Sequence, residues 1–324
     1  MATIFDSEFV AVTTEVIRRI AGPLPFSIFI RRGENTYTKL FPKGEEVEAV
    51  RFASYETGKG VEDFFVHQDD YRQYLLYVEQ VAHALFQQKS AAGEQVVAVI
   101  KEMTNLTMLD LVVKKHVDGK SIGYAMTTIK GCIDVLANDP KSLFRVFRLL
   151  SRHPYLIKHA LMTSVFALLL AKAENLESEK TLTTLGLGAL LHDIGMSMMT
   201  FDPEERAELA GEERREIQTH PELAKRMLDS VKSVNPEVRM IVLQHHEQPN
   251  GRGYPNGLHD KQIYYLAKIV AIADCFSALL CVRPFRDEAF TPVKAIEVMV
   301  EDRGKFDLSL LDKFSKIFVT TKAS

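Results

Sequence analysis

The sequence predicts a small α+β module followed by an all-α helical bundle domain, with residues 1–140 in the first and 141–324 in the second. Three observations carry that prediction. Short aromatic and β-branched runs separated by turn residues occupy the early part, as strands require. Apolar residues at helical spacing follow them. The texture then changes at "ANDPKSLFRVF", after which nearly every segment reads as helix.

Taken in order, "FSIFIRR", "YTKLF" and "DFFVH" read as strands, and "RRGENT", "PKGEE" and "YETGKG" as the turns that bound them. "DDYRQYLLYVEQVAHALFQQ" and the stretch from Gln95 to Val117 read as helices that link this sheet to the rest. Beyond Lys141, Pro140 just before it and Pro154, Pro221, Pro236 and Pro284 stand at helix starts or breaks, where a residue without an N–H is tolerated. The densely charged "DPEERAELAGEERREIQ", Asp202 to Gln218, reads as a solvated helical face because mixed-sign charge on a helix is usually exposed.

Bulk properties narrow the function. With 40 Lys and Arg against 43 Asp and Glu, the formal charge is −3, so no global positive field draws the chain to nucleic acid or an anionic membrane. Any anionic ligand must be held locally. The start "MATIFDSEFV" lacks the basic residues of a secretory signal, and the apolar run Ala160 to Leu170 falls short of the roughly 20 residues a bilayer span needs. The expectation is a cytoplasmic chain with no membrane anchor. Cys132, Cys275 and Cys281 have no CxxC spacing and read as small core residues rather than a disulfide framework or a thiolate zinc site.

The chemistry gathers in the helical part. "LLHDIG" places His192 and Asp193 after an apolar run, where a carboxylate costs several kcal/mol unless it is paired or bound to metal. His159 lies in "YLIKHALMTS", His220 in "QTHPEL", His245 and His246 in "HHEQPNGRGYP", and Asp274 inside the otherwise apolar "IVAIADCFSALL". Histidines and carboxylates on helices with apolar faces can converge in a bundle core, and that donor set suits Fe, Mn, Zn or Co. Seven candidates exceed the first shell of one ion, so two metals are expected, with Asp193 able to bridge them.

The motifs "HDIG", "THPELAKRML", "HHEQPNGRGYPNGL" and "AIADCFSALLCVRPFR" resemble those of the HD-GYP family, the branch of the HD metal phosphohydrolases that hydrolyses cyclic di-GMP. The resemblance runs from about Phe144 to the C-terminus and implies an HD-type helical bundle. It also implies that His159, His192, Asp193, His220, His245, His246 and Asp274 are metal ligands, with Asp193 bridging and His192 and Asp193 at the catalytic centre. Tyr254, Arg283 and Arg286 fall where the family contacts substrate phosphate or nucleotide. Iron is the metal implied first and manganese second; the implied reaction is hydrolysis of cyclic di-GMP, or a related nucleotide, by a water activated between two metals. No partner is named by the resemblance for residues 1–140, which read as a regulatory module for a protein partner or a signal.

Four departures from the family qualify the expected activity. Met196 stands where the family has a lysine that contacts the scissile phosphate, and loss of one well-placed donor commonly costs about 10²- to 10³-fold in rate. The alternative is therefore a cyclic di-GMP receptor with weakened turnover. Asn250 and Ser277 replace aspartates. Tyr155 stands where some relatives have an acid for a third metal, so two metals are expected rather than three. Met196, Met198 and Met199 read as core or pocket wall. Adjacent His245 and His246 would point about 100° apart on a helix, so both can be ligands only where the helix ends. Gly251 and Gly253 then give the loop its freedom, and Glu247 reads equally as a residue orienting a ligand imidazole or as an exposed helix-end acid.

Overall fold

The computed structural model describes residues 8–12, 14–17, 22–33, 36–46, 51, 54–55, 64–86, 93–138, 155–284, 286 and 288–319. The predicted boundary at residue 140, Pro140, Pro154 and most of the "YETGKG" turn lie outside them.

The N-terminal part is an antiparallel sheet backed by helices. Strands β1 (Phe9–Val12), β2 (Ile28–Gly33), β3 (Thr36–Phe41) and β4 (Phe64–His67) lie in the order β1-β4-β2-β3. The register pairs Val10 with Val66 and Ile30 with Phe64, which aligns the alternate residues that face the core. Strand β1 escaped the sequence reading because "FVAV" is short and has no turn signal before it. A one-turn helix α1 (Thr14–Ile17) follows β1, and the long helix α2 (Gln68–Phe86) leaves β4 directly. The core between sheet and helix holds Phe26, Ile28, Phe41, Phe64, Tyr74 and Val78.

Helix α3 (Gly93–Lys114) is apolar nearly all round, and the reason is that it serves two cores. Val99, Met103 and Leu106 pack beneath the sheet, while Val97, Ile100, Met108 and Leu111 face the bundle. Helix α4 (Gly119–Asn138) also joins the bundle core through Ile129, Cys132 and Val135. Both helices precede residue 140 in the chain, so the bundle core draws on residues from the first part.

The bundle continues with α5 (Tyr155–Ala173), α6 (Glu179–Leu191), α7 (Gly211–Ile217), α8 (His220–Asp229), α9 (Pro236–Gln244), α10 (Tyr265–Leu279), α11 (Pro292–Glu301) and α12 (Leu308–Val319). Pro221, Pro236 and Pro292 sit in first turns, where the missing N–H has no helical partner to lose. Asn235 caps α9 by accepting from the Glu237 N–H at 3.0 Å. Helix α5 is long and apolar enough by length and composition to cross a bilayer, but 78% of that window is buried inside the bundle.

Three expectations are corrected here. Within the charged stretch α7 is regular helix and mostly exposed, but Asp202 caps a 3-10 turn (Pro203–Glu205), and Asp202, Pro203 and Glu204 line the central cavity. Met198 is exposed, whereas Met199 is buried and Met196 lines the cavity. Cys132 and Cys281 are buried as expected; Cys275 is only partly covered and reaches the cavity wall.

Candidate metal centre

Each imidazole is delivered by a helix end or an apolar helix face. His159 lies one turn into α5, and His192 follows α6 directly, with Asp193 turning the chain into a 3-10 segment (Ile194–Met198). His220 opens α8, His245 follows α9 directly, and Asp274 sits within α10. The helix does end between Gln244 and the histidine pair, which lets His245 and His246 turn toward the same space.

The seven residues converge in two groups. Asp193, His220, His245 and His246 form one, and His159, His192 and Asp274 the other, with the potential ligand atoms of each group within 4.8 Å of one another. Asp193 faces both groups. Its Oδ1 is 3.1 Å from His220 Nε2 and 3.7 Å from His245 Nε2, while its Oδ2 is 3.3 Å from His192 Nε2 and 3.5 Å from His159 Nε2. Asp274 Oδ1 is 3.1 Å from His159 Nε2, and its Oδ2 is 3.8 Å from His246 Nδ1.

The tautomers are set from behind. The Nδ1 atoms of His192, His220 and His245 each lie 2.7 Å from a carbonyl three residues back, those of Ala189, Ile217 and Val242. A carbonyl only accepts, so Nδ1 carries the proton and Nε2 turns its lone pair inward. Ser277 does the same for His159: its hydroxyl donates to the His159 carbonyl at 3.3 Å and lies 3.0 Å from Nδ1. Ser277 thus performs with a hydroxyl the orienting role that a carboxylate often fills.

This arrangement sets acceptors against acceptors. Imidazole lone pairs face carboxylate oxygens at hydrogen-bond distance, and His159 Nε2 is 3.1 Å from His192 Nε2. Only a cation or shared protons can relieve that. Without an ion, the protein holds a proton on His192: burial alone would lower its pKa, but the Asp193 charge outweighs burial and raises it to about 9. Burial holds His245 and His246 below the ordinary histidine value. Asp193 is held well below the ordinary carboxylate value, the His192 charge overcoming the opposing effect of burial. Inward imidazole nitrogens, four of them held from behind, together with two carboxylates are a donor set that suits a transition-metal ion, and the residues fit such a group.

The loop after His246 closes one side of the site. Glu247 is buried, and its two oxygens accept the Asn256 N–H at 2.7 Å and the Leu258 N–H at 2.8 Å. It neither orients an imidazole nor faces solvent, so both earlier readings of it are replaced: it folds the glycine loop. A Cβ on Gly253 would stand 2.4 Å from the Gln248 nitrogen, and Gly251 has φ +75°, which explains why both are glycine. Tyr254 is thereby stacked on His246 with ring centres 4.6 Å apart.

Opposite lies a second stack. The Arg283 guanidinium sits 3.9 Å from the Tyr155 ring centre, Tyr155 lies nearly parallel to His159 at 4.9 Å, and Arg283 pairs with Glu204 at 3.3 Å. Arg286 reaches the same cavity, but one of its amino groups is spent on the carbonyls of Ala278, Leu279 and Cys281 at the end of α10. The cavity above the Asp193 centre encloses about 760 Å³ and includes Met196, Tyr254, Arg283 and Arg286 in its walls. That is within the range of small-molecule sites, about 300–1,000 Å³.

The chain is similar to known proteins in sequence and in fold. The HD domain family profile matches residues 146–310. A cyclic di-GMP phosphodiesterase of Pseudomonas aeruginosa is 34% identical over 55% of this chain and 42% of its own length. The cyclic di-GMP phosphodiesterase response regulator RpfG of Xanthomonas campestris is 33% identical over 42% of this chain and 36% of its own. A 3'3'-cGAMP-specific phosphodiesterase of Vibrio cholerae is 30% identical over 47% of this chain and 33% of its own. The match thus spans less than half the length of these relatives. An HD-GYP protein from Bdellovibrio bacteriovorus shares the fold over 96% of this chain and 99% of its own, with a TM-score of 0.67 and 17% identity. That likeness in fold includes the N-terminal sheet.

Proposed function

The chain belongs to the HD domain family, and from that membership we propose that it is a metal-dependent phosphodiesterase that opens cyclic di-GMP. The observation that carries this reading is the pair of ligand groups sharing Asp193 at the floor of a cavity of nucleotide size. The naming of several relatives as cyclic di-GMP phosphodiesterases supports the substrate. In this reading the two groups would hold two ions of one metal, iron or, in its place, manganese. When bound, they supply Lewis acidity and a water activated for in-line attack on phosphorus.

The side chains do the rest. His192, His220 and His245, their Nδ1 protons fixed on backbone carbonyls, keep their inward lone pairs without reorganisation. Asp193 spans both groups through its separate oxygens. Tyr254 offers a ring edge to a base or ribose, held there by Glu247 through the loop. Arg283 exchanges Glu204 for a phosphate oxygen. Arg286 anchors the turn that carries Arg283, since Arg283 N–H donates to the Arg286 carbonyl at 3.1 Å. Residues 1–140 act in this reading as the module through which a protein partner or signal reaches the cavity, and the chain works in the cytoplasm.

A second reading follows from Met196, whose thioether lines the cavity and carries no charge. On it the protein is a cyclic di-GMP receptor that has retained the ions for binding. Incubation of the anaerobically purified, iron- or manganese-loaded protein with cyclic di-GMP, with chromatography of the products, separates the two. We expect a linear or mononucleotide product that disappears in Asp193→Ala. Tight binding of intact cyclic di-GMP without product would select the receptor, and neither binding nor product would remove both.

A further inference from the structure

The apolar wall at Met196 raises the question of which side chain meets a bound phosphate in its stead. Among the described residues of the cavity wall, the Lys and Arg side chains are Arg283, Arg286 and Lys305. Arg286 is held by the carbonyls that end α10, and Arg283, which the proposed function turns toward phosphate, starts from Glu204 and the Tyr155 ring.

Lys305 is placed differently. It lies in the loop between α11 and α12, and its Nζ is 3.2 Å from Asp302, a carboxylate that is 55% exposed. Exposed ion pairs of this kind are weak, because water solvates either partner when it is released. The loop itself is fixed. The Asn250 N–H donates to the Gly304 carbonyl at 3.1 Å, which ties the residue beside Lys305 to the loop that carries Tyr254. Burial works against the ammonium, but Cys275, Asp302 and Asp274 around it outweigh burial and hold its pKa above the ordinary value, so it is cationic at neutral pH.

We propose that Lys305 joins Arg283 as a phosphate-contacting cation of this cavity: on ligand binding it leaves Asp302 and donates to a phosphoryl oxygen, supplying from the α11–α12 loop the charge that Met196 lacks. The identity of the full ligand rests on the phosphodiesterase reading, but the assignment itself requires only an anionic phosphoryl group. Lys305 reaches that group from a loop about 110 residues downstream of Met196, and both residues line the same cavity. Asp302 is then the internal competitor that a ligand displaces.

The test uses the full chain loaded with manganese, as wild type, Lys305→Met, Lys305→Arg and Asp302→Asn, and measures metal content and binding of inorganic phosphate and of cyclic di-GMP by calorimetry. Metal content is expected to be equal in all four. Lys305→Met should weaken phosphate binding about tenfold, the size of one charge-assisted hydrogen bond, while Lys305→Arg stays near wild type. Asp302→Asn, which leaves Lys305 in place, should tighten it. Phosphate binding unchanged in Lys305→Met, or equally weak in Lys305→Met and Lys305→Arg, would overturn the assignment whatever cyclic di-GMP does. Phosphate binding that depends on Lys305 in a protein that ignores cyclic di-GMP would uphold the assignment and remove the proposed substrate.

Discussion

Around Phe26 the N-terminal core is aromatic and aliphatic, whereas around Asp193 the bundle core gathers five imidazoles and two carboxylates. The first is held by contact: Phe26 is fully buried and meets the Tyr74 ring edge-on at 5.4 Å. Its stability scales with the apolar surface removed from water and with the fit of the side chains. The second core works against that rule. Its polar groups turn toward a shared point, and four of the imidazoles are held from behind by a carbonyl or a hydroxyl. The difference teaches that one chain can tolerate an expensive interior if an ion completes it, and that the two cores should respond to different perturbations.

The largest separation is expected from Asp193→Ala. Removing the carboxylate that faces both groups should abolish tight binding of the ions and reduce turnover by at least about 10³-fold. The folded sheet should be untouched, which circular dichroism and metal analysis on the same sample will check. Retention of both ions would break the comparison.

Phe26→Ala comes next and has the opposite profile. Loss of a fully buried ring should cost about 3–5 kcal/mol of unfolding free energy, while the purified folded protein keeps its metal content. A drop in metal content at equal foldedness would mean that the two cores are more tightly joined through α3 than their separate packing implies.

Glu247→Gln is smaller and local. It removes the charge that accepts two backbone N–H groups, and the cost should be about 1–3 kcal/mol, felt as weaker nucleotide binding through the displaced Tyr254. Hydrogen exchange at the Asn256 and Leu258 amides reads the loss directly.

The gentlest perturbation is pH. His192 in the ion-free protein has a pKa of about 9 against the ordinary 6.5. A raised folded-state pKa contributes stability that is fully present below about pH 6.5 and is lost as pH rises through about 9. The ion-free protein should therefore melt at lower temperature at pH 9.5 than at pH 7.5, and the loaded protein should lose less, because the ion takes the place of the proton. Ion binding at pH 7.5 should release protons, visible as buffer-dependent calorimetric heats. Equal pH dependence with and without ions would contradict the role given to His192.

Much of this was legible in the sequence because the site violates the pattern of its own helices. His159 and Asp274 stand out in apolar runs that give them no other reason to be there, and three of the strands announced themselves through aromatic and β-branched runs between turn residues. What stayed hidden depends on contacts with no local signal. Glu247 grips amides nine and eleven residues onward, Glu204 meets Arg283 across the cavity, and Lys305 enters the wall from a loop without a motif. Strand β1 is only four residues long and is specified by its pairing with β4.

The central claim is that the two groups around Asp193 are metal sites that share one carboxylate. Metal content of anaerobically purified protein, paired with anomalous diffraction from its crystals, tests it most directly. The account predicts two ions per chain, one by His159, His192 and Asp274 and the other by His220, His245 and His246, with Asp193 between them. A single ion, or none with the histidines paired only to each other and to the carboxylates, would contradict it.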